Sequence, residues 1–157
     1  MGNDMRPILI GMNNPISLVP GHELYPLPVG CTGHRIYEML RTNTCRDIRR
    51  REYLNAFERR NLVVAHNFIP PVAKIRAQQM YEELFFTHRT VVLLGNEVRD
   101  AFKFAGIPPL LIEPQEVGGI VWRQIPHPSG RNLWYNDENN CRKVGAMLAQ
   151  LYEESIK

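Results

Sequence analysis

Four short polar strings in this sequence each follow an apolar run. GMNNP (11–15) follows PILI, HNFIP (66–70) follows LVVA, Gly95-Asn96 follows VVLL, and HPSGRN (127–132) follows the run that ends at Pro126. Asparagine recurs in all four. A carboxamide both donates and accepts hydrogen bonds, so it can read the edge of a nucleobase. His127 adds a group able to donate to a developing negative charge. Arg131 adds a planar cation that forks around phosphate oxygens. Other chemistries lack their signatures. There is no nucleophile elbow, no GxxxxGK[ST] phosphate loop and no glycine-rich dinucleotide fingerprint. His22, His34, His66, His88 and His127 lack metal-ligand spacing. Cys31, Cys45 and Cys141 are far apart and odd in number, which argues against a disulfide framework, a zinc site and a cysteine-ligated cluster. No metal and no cofactor is expected.

These strings need elements to hold them. Apolar runs predict strands at Pro7–Met12, Leu62–His66, Val91–Leu94 and Ile120–Ile125. Helices are expected at Gly33–Arg41, at Asp47–Arg60, over Ala73–Phe86, from Asn96 to about Ala105, and over Asp137–Ile156. In the last, Val144, Met147, Leu148, Leu151 and Tyr152 share one face. Alternating strands and helices, with strands apolar on both faces, predict an α/β fold. Its expected form is three-layer α/β/α around a central, mostly parallel four-stranded sheet. Ligands of such sheets bind beyond the carboxyl ends of the strands. The four polar strings would therefore meet on one rim. Asn13–Cys31, with four prolines and two glycines, reads as a long loop of functional size.

The 157 residues suffice for one domain, with 44% hydrophobic and 22% charged residues. No apolar run reaches membrane-span length. The start MGNDMRPILIGM lacks a secretory pattern, so a cytoplasmic or nucleoid-associated, non-secreted protein is expected. Net charge is +3, and residues 31–60 hold eight arginines (35, 41, 46, 49, 50, 51, 59 and 60) against Glu38, Asp47, Glu52 and Glu58. That segment is either a solvated helix face or a surface for phosphates.

GMNNP, HNFIP and HPSGRN, in that order and each after a strand, resemble the uracil-DNA glycosylase superfamily. The nearest branch is the single-strand-selective monofunctional one, whose motifs read GMNPG, HNxxP and HPSxRN. PLPVGCTGHRIYEML also resembles the PFVGxxGxxLxxML stretch of the iron–sulfur branch, and VVLLGNEVRDAF its third strand and helix. The resemblance spans about residues 7–150. It implies a uracil-DNA glycosylase-like fold and a monofunctional DNA glycosylase. Such an enzyme flips out uracil or a 5-substituted uracil and hydrolyses its N-glycosidic bond, leaving an abasic site.

The roles it implies fall on particular residues. Asn13 or Asn14 handles the water, and His127 donates to the pyrimidine oxygen. Asn67 reads the pyrimidine edge, and Met12 and Tyr25 bind the base, Tyr25 by stacking. Ser129, Arg131 and Asn132 face DNA, with Leu133 and Trp134 beside the wedge position of Arg131. The partner is DNA, single- or double-stranded, with no membrane, and the protein is expected to be a monomer. Lys74, Lys103, Lys143 and Lys157 fall on predicted helices or at the terminus, so no Schiff-base lysine is evident.

Two departures keep other readings open. The first motif carries an extra Asn, and Ile16 stands where relatives have Gly; the cluster-ligating cysteines of the iron–sulfur branch are missing as well. The alternatives are a catalytically inactive module of this fold that binds nucleotides, DNA or a protein partner, and an enzyme acting on modified bases or free nucleotides.

Overall fold

The computed structural model describes residues 4–107 and 113–157. In chain order its elements are β1 (Ile8–Gly11), α1 (Thr32–Thr42), α2 (Arg50–Ala56), β2 (Glu58–Asn61), α3 (Pro70–Leu84), β3 (Thr90–Leu94), α4 (Asn96–Ala101), β4 (Gln115–Val117), β5 (Ile120–Ile125) and α5 (Glu138–Ser155). The sheet order is β2-β1-β3-β5-β4. β2, β1, β3 and β5 run parallel, and β4 pairs antiparallel with β5.

Side chains alternate across the strands and build two cores. Ile8, Ile10, Val91, Leu93, Ile120 and Trp122 pack with Ala73, Ala77 and Met80 of α3 and Val98 of α4. Leu9, Val92, Leu94 and Ile125 pack on the other face with Ile36 and Leu40 of α1, Tyr53 of α2, and Leu148 and Leu151 of α5. A sheet with helices on both faces leaves its strand ends as the place for polar chemistry. Pro70 and Pro71 open α3, where a missing N–H costs nothing. Asp137 caps α5 by accepting from Asn139 N at 2.8 Å. No helix among the described residues is long and apolar enough to cross a membrane.

The sheet has five strands where four were expected. The additional one, β4, joins β5 through Gly118-Gly119, both at φ +65, a two-residue hairpin turn that only glycine adopts freely. The second strand also lies four residues earlier than expected. Glu58–Asn61 pairs with Ile8–Gly11, and the ladder continues only through Leu62 N to Gly11 O and Val63 N to Met12 O, both 2.9 Å. The expected Arg-rich helix over 47–60 accordingly shrinks to Arg50–Ala56. The reason is the position of β2 at the sheet edge, where a strand can carry charged side chains. Glu58 and Arg60 pair with each other, Arg60 also binds Glu83 at 2.7 Å, and Arg89 donates to Glu58 and to Arg6 O, each at 2.8 Å. These groups gather where the parallel strands begin.

Candidate active site

Where the same strands end, a cleft of about 660 Å³ opens. Asn13 enters it just beyond β1, Asn61 from the last residue of β2, and His127 and Ser129 from the loop after β5. Tyr25, Leu24 and Ile16 line it from the long strap that follows β1.

Sequence-distant groups hold the strap in place. Arg59 of β2 donates to Gly21 O at 3.1 Å and Glu23 O at 2.6 Å. The buried Tyr53 hydroxyl donates to Leu24 O at 2.9 Å, fixing a residue whose φ of +48 is strained for leucine. Burial pushes the Tyr53 phenol pKa up, so it remains a donor. Gly33 of α1 packs so closely that a Cβ there would lie 2.2 Å from Tyr25 O.

The two asparagines of GMNNP separate by geometry. Asn14 is a staple of the strap: its Oδ1 accepts from Ile16 N and Ser17 N, both 2.9 Å, and its Nδ2 donates to His22 O at 3.1 Å. Asn13 donates through Nδ2 to His66 O at 2.7 Å and Ala65 O at 3.3 Å. No group among the described residues donates to its Oδ1. The extra Asn thus folds the loop, while Asn13 keeps an open acceptor on the cleft.

The strand-end carboxamide in the cleft is Asn61. It is 7% exposed, and its Oδ1 is buried with no partner among the described residues. Gly11 makes room for it, since a Cβ at Gly11 would lie 3.1 Å from that oxygen. Asn67, the expected base reader, is exposed and outside the cleft lining. Its position follows from the earlier placement of β2: the chain has left the sheet by residue 67. The signal for Asn61 was its place directly before LVVA, hidden because the expected helix ran to Arg60 and the expected strand began at Leu62.

His127 lies between this cleft and a second cavity of about 780 Å³, which Met12, Asn96, Asn132 and Trp134 also line. Gly95 presses on it; a Cβ there would lie 3.0 Å from His127 Cβ, and φ at Gly95 is +95. Desolvation lowers the His127 pKa below its ordinary 6.5, with the Glu97 carboxylate pulling the other way. The imidazole is therefore neutral at pH 7 and still carries one N–H to donate.

The remaining expected residues divide. Tyr25 lines the cleft, 37% exposed, with its ring 5.5 Å from that of His22. Met12 does not line the cleft; its side chain packs against the α3-side core and borders the second cavity. Asn132 uses its carboxamide within its own loop. Nδ2 donates to His127 O at 3.0 Å and Oδ1 accepts from Trp134 N at 3.1 Å, so it staples the HPSGRN loop. Ser129 Oγ accepts from Arg131 N at 3.1 Å. Arg131 is exposed, and Leu133 projects beside it with 76% exposure. Trp134 and Tyr135 pack partly against the α5-side core.

Much of the Arg-rich segment is engaged within the protein. Arg41 binds Glu38, Arg46 binds Glu153, Arg60 binds Glu58 and Glu83, and Arg59 holds the strap. Among the described residues no cluster of three or more His, Cys, Asp or Glu side chains could hold a metal ion.

No protein-family model matches the chain, and comparison with curated proteins gives no significant match.

Proposed function

We propose that this protein is a monofunctional DNA glycosylase acting on uracil or a 5-substituted uracil. The observation that carries the reading is the buried, unpartnered Oδ1 of Asn61, in one cleft with Asn13 and His127. An orphaned buried acceptor costs stability unless a ligand satisfies it. The N3–H of an everted uracil is such a donor, and the Nδ2 of the same carboxamide reaches the neighbouring O4. Tyr25 offers a face for the ring.

The chemistry follows from the groups present. The C1′–N1 bond breaks with cationic character on the sugar, and its electron pair leaves with the base. Asn13 Oδ1 orients water toward C1′. A carboxamide is too weak a base to take the proton early, and the oxocarbenium-like sugar is a strong enough electrophile not to need it. The N–H of neutral His127 stabilises the charge growing on the pyrimidine O2. The order of the three motifs along the chain supports the same reading.

The test is incubation with oligonucleotides bearing uracil, 5-hydroxymethyluracil, hypoxanthine or mismatched thymine, followed by mass spectrometry of freed base. Release of a uracil-type base without strand cleavage is expected. Failure to release base from all four by folded protein overturns the enzyme reading. Tight binding in that case would leave a base-binding module.

A further inference from the structure

We propose that Arg35 binds a backbone phosphate flanking the base held in the cleft, an inference that rests on the nucleic-acid reading above. Arg35 lies near the start of α1, and its guanidinium is packed on the HPSGRN loop: a Cβ on Gly130 would lie 2.7 Å from Nη2. Gly130 itself lines the cleft. Gly130 thus borders both this cation and the cleft.

An adjoining cavity of about 370 Å³ shares Gly30 with the cleft and is lined by Arg35, His34, Val29, Pro128 and Tyr135. Glu38 also borders it, but Arg41 holds that carboxylate through contacts of 3.2 and 2.9 Å. His34 accepts from Gly30 N through Nδ1 at 3.1 Å. Its Nε2 faces the same carboxylate, 3.9 Å from Glu38 Oε1. The Arg35 side chain has no hydrogen bond or ion pair among the described residues, and its Nε is buried without an acceptor.

The other arginines of the segment differ. Four are engaged by carboxylates or strap carbonyls, and Arg49, Arg50 and Arg51 are exposed and outside both linings. Of the segment's arginines, Arg35 alone lines the adjoining cavity, and its side chain has no partner among the described residues. A phosphate presents the paired oxygens that a guanidinium fork matches. The strand continuing from an everted nucleotide would bring one to the cleft rim.

The experiment is fluorescence anisotropy with a single-stranded oligonucleotide carrying one 2′-fluorinated deoxyuridine, which resists hydrolysis, titrated across potassium chloride concentrations. Arg35→Gln is expected to weaken binding about 5-fold at low salt and to flatten the log–log salt slope by about 0.7. Arg35→Lys keeps the slope and, as a folding control, melts like wild type. A neutral methylphosphonate at the contacted position should weaken wild type and abolish the difference between wild type and Arg35→Gln. An unchanged slope in Arg35→Gln, or a deficit that survives every methylphosphonate placement, overturns the proposal. Base release is scored separately. Arg35-dependent binding without base release would overturn the glycosylase reading alone. Base release with an Arg35-independent slope would overturn this site alone.

Discussion

The two ends of the parallel sheet treat polar groups in opposite ways. Where the strands begin, Asp4, Arg6, Glu58, Arg60, Glu83 and Arg89 form one ion-pair network, with Arg89 at 8% side-chain exposure. Where the strands end, Asn61 keeps a buried oxygen without a partner and the neutral ring of His127 stands between two cavities. Both ends use strand-terminal side chains of the same sheet. The first pairs its charges internally, even though Arg89 Nε is itself buried without an acceptor, and so contributes stability. The second leaves groups open, which costs stability and creates a demand that a ligand can meet. Substitutions at the two ends should therefore move different observables.

The largest effect is expected at the open end. Asn61→Ala should lower base release by about 100-fold to 1000-fold, the range for removing one well-placed polar group. Its melting temperature should stay within about 2 °C of wild type, because loss of packing is offset by loss of an unsatisfied group. Single-turnover assays and calorimetry check both halves. Asn67→Ala should alter neither. Full activity in Asn61→Ala would remove the cleft from the mechanism.

Arg89→Ala should do the reverse. It removes one of the two guanidinium partners of the partly buried Glu58 carboxylate and the donor to Arg6 O, for a loss of about 2–4 kcal/mol. At this chain length that lowers the melting temperature by roughly 5–12 °C. Turnover of the folded fraction at 25 °C should remain within about twofold of wild type. A large activity loss with unchanged melting would mean that the ion-paired end is not merely a foundation.

The same contrast explains which parts of the molecule could be read in advance. β1 and β3 were legible because central parallel strands are apolar on both faces, β5 because an apolar run opens it, and α5 because its apolar stripe is regular. β2 was not, because an edge strand escapes that requirement: ERRN looks like the Arg-rich helix before it. The shift of β2 put Asn61, and not Asn67, in the cleft. β4 has only three residues, yet Gly118-Gly119 between Val117 and Ile120 was a readable hairpin signal. Asn13, Tyr25, His127 and Ser129 were legible as strand-end and strap residues. That Asn14 and Asn132 fold their own loops was not, because spacing alone does not reveal which amide hydrogen bonds close internally.

Tyr53→Phe probes the tether between the stable frame and the open end. Removing the hydroxyl leaves Leu24 O without its partner and should cost about 1 kcal/mol. The strap that carries Tyr25 then loosens, so KM for an oligonucleotide should rise more than kcat falls. Steady-state kinetics beside a melting curve would show it, and a change confined to kcat would place Tyr53 outside substrate binding.

The smallest effects are those of pH, and here the two ends respond in separate windows. Hydrogen bonds from Arg6 to Asp4 and from Arg60 to Glu83 hold these carboxyls below the usual carboxylate range. The unfolded chain therefore takes up protons first, and the stability they contribute, complete above about pH 4.5, is lost as the pH falls further. His127 acts in a higher window. Its folded pKa lies below 6.5 chiefly through desolvation, so the unfolded chain again binds the proton first and stability declines as pH falls below about 6.5. Melting curves of wild type and His127→Gln between pH 5 and 7 isolate that contribution, because the carboxylates change little there. Wild type should gain more stability than the variant as pH rises through this window. Equal gains would mean that the ring is as well solvated as in the unfolded chain, and the site would lose the neutral donor on which the chemistry at O2 depends.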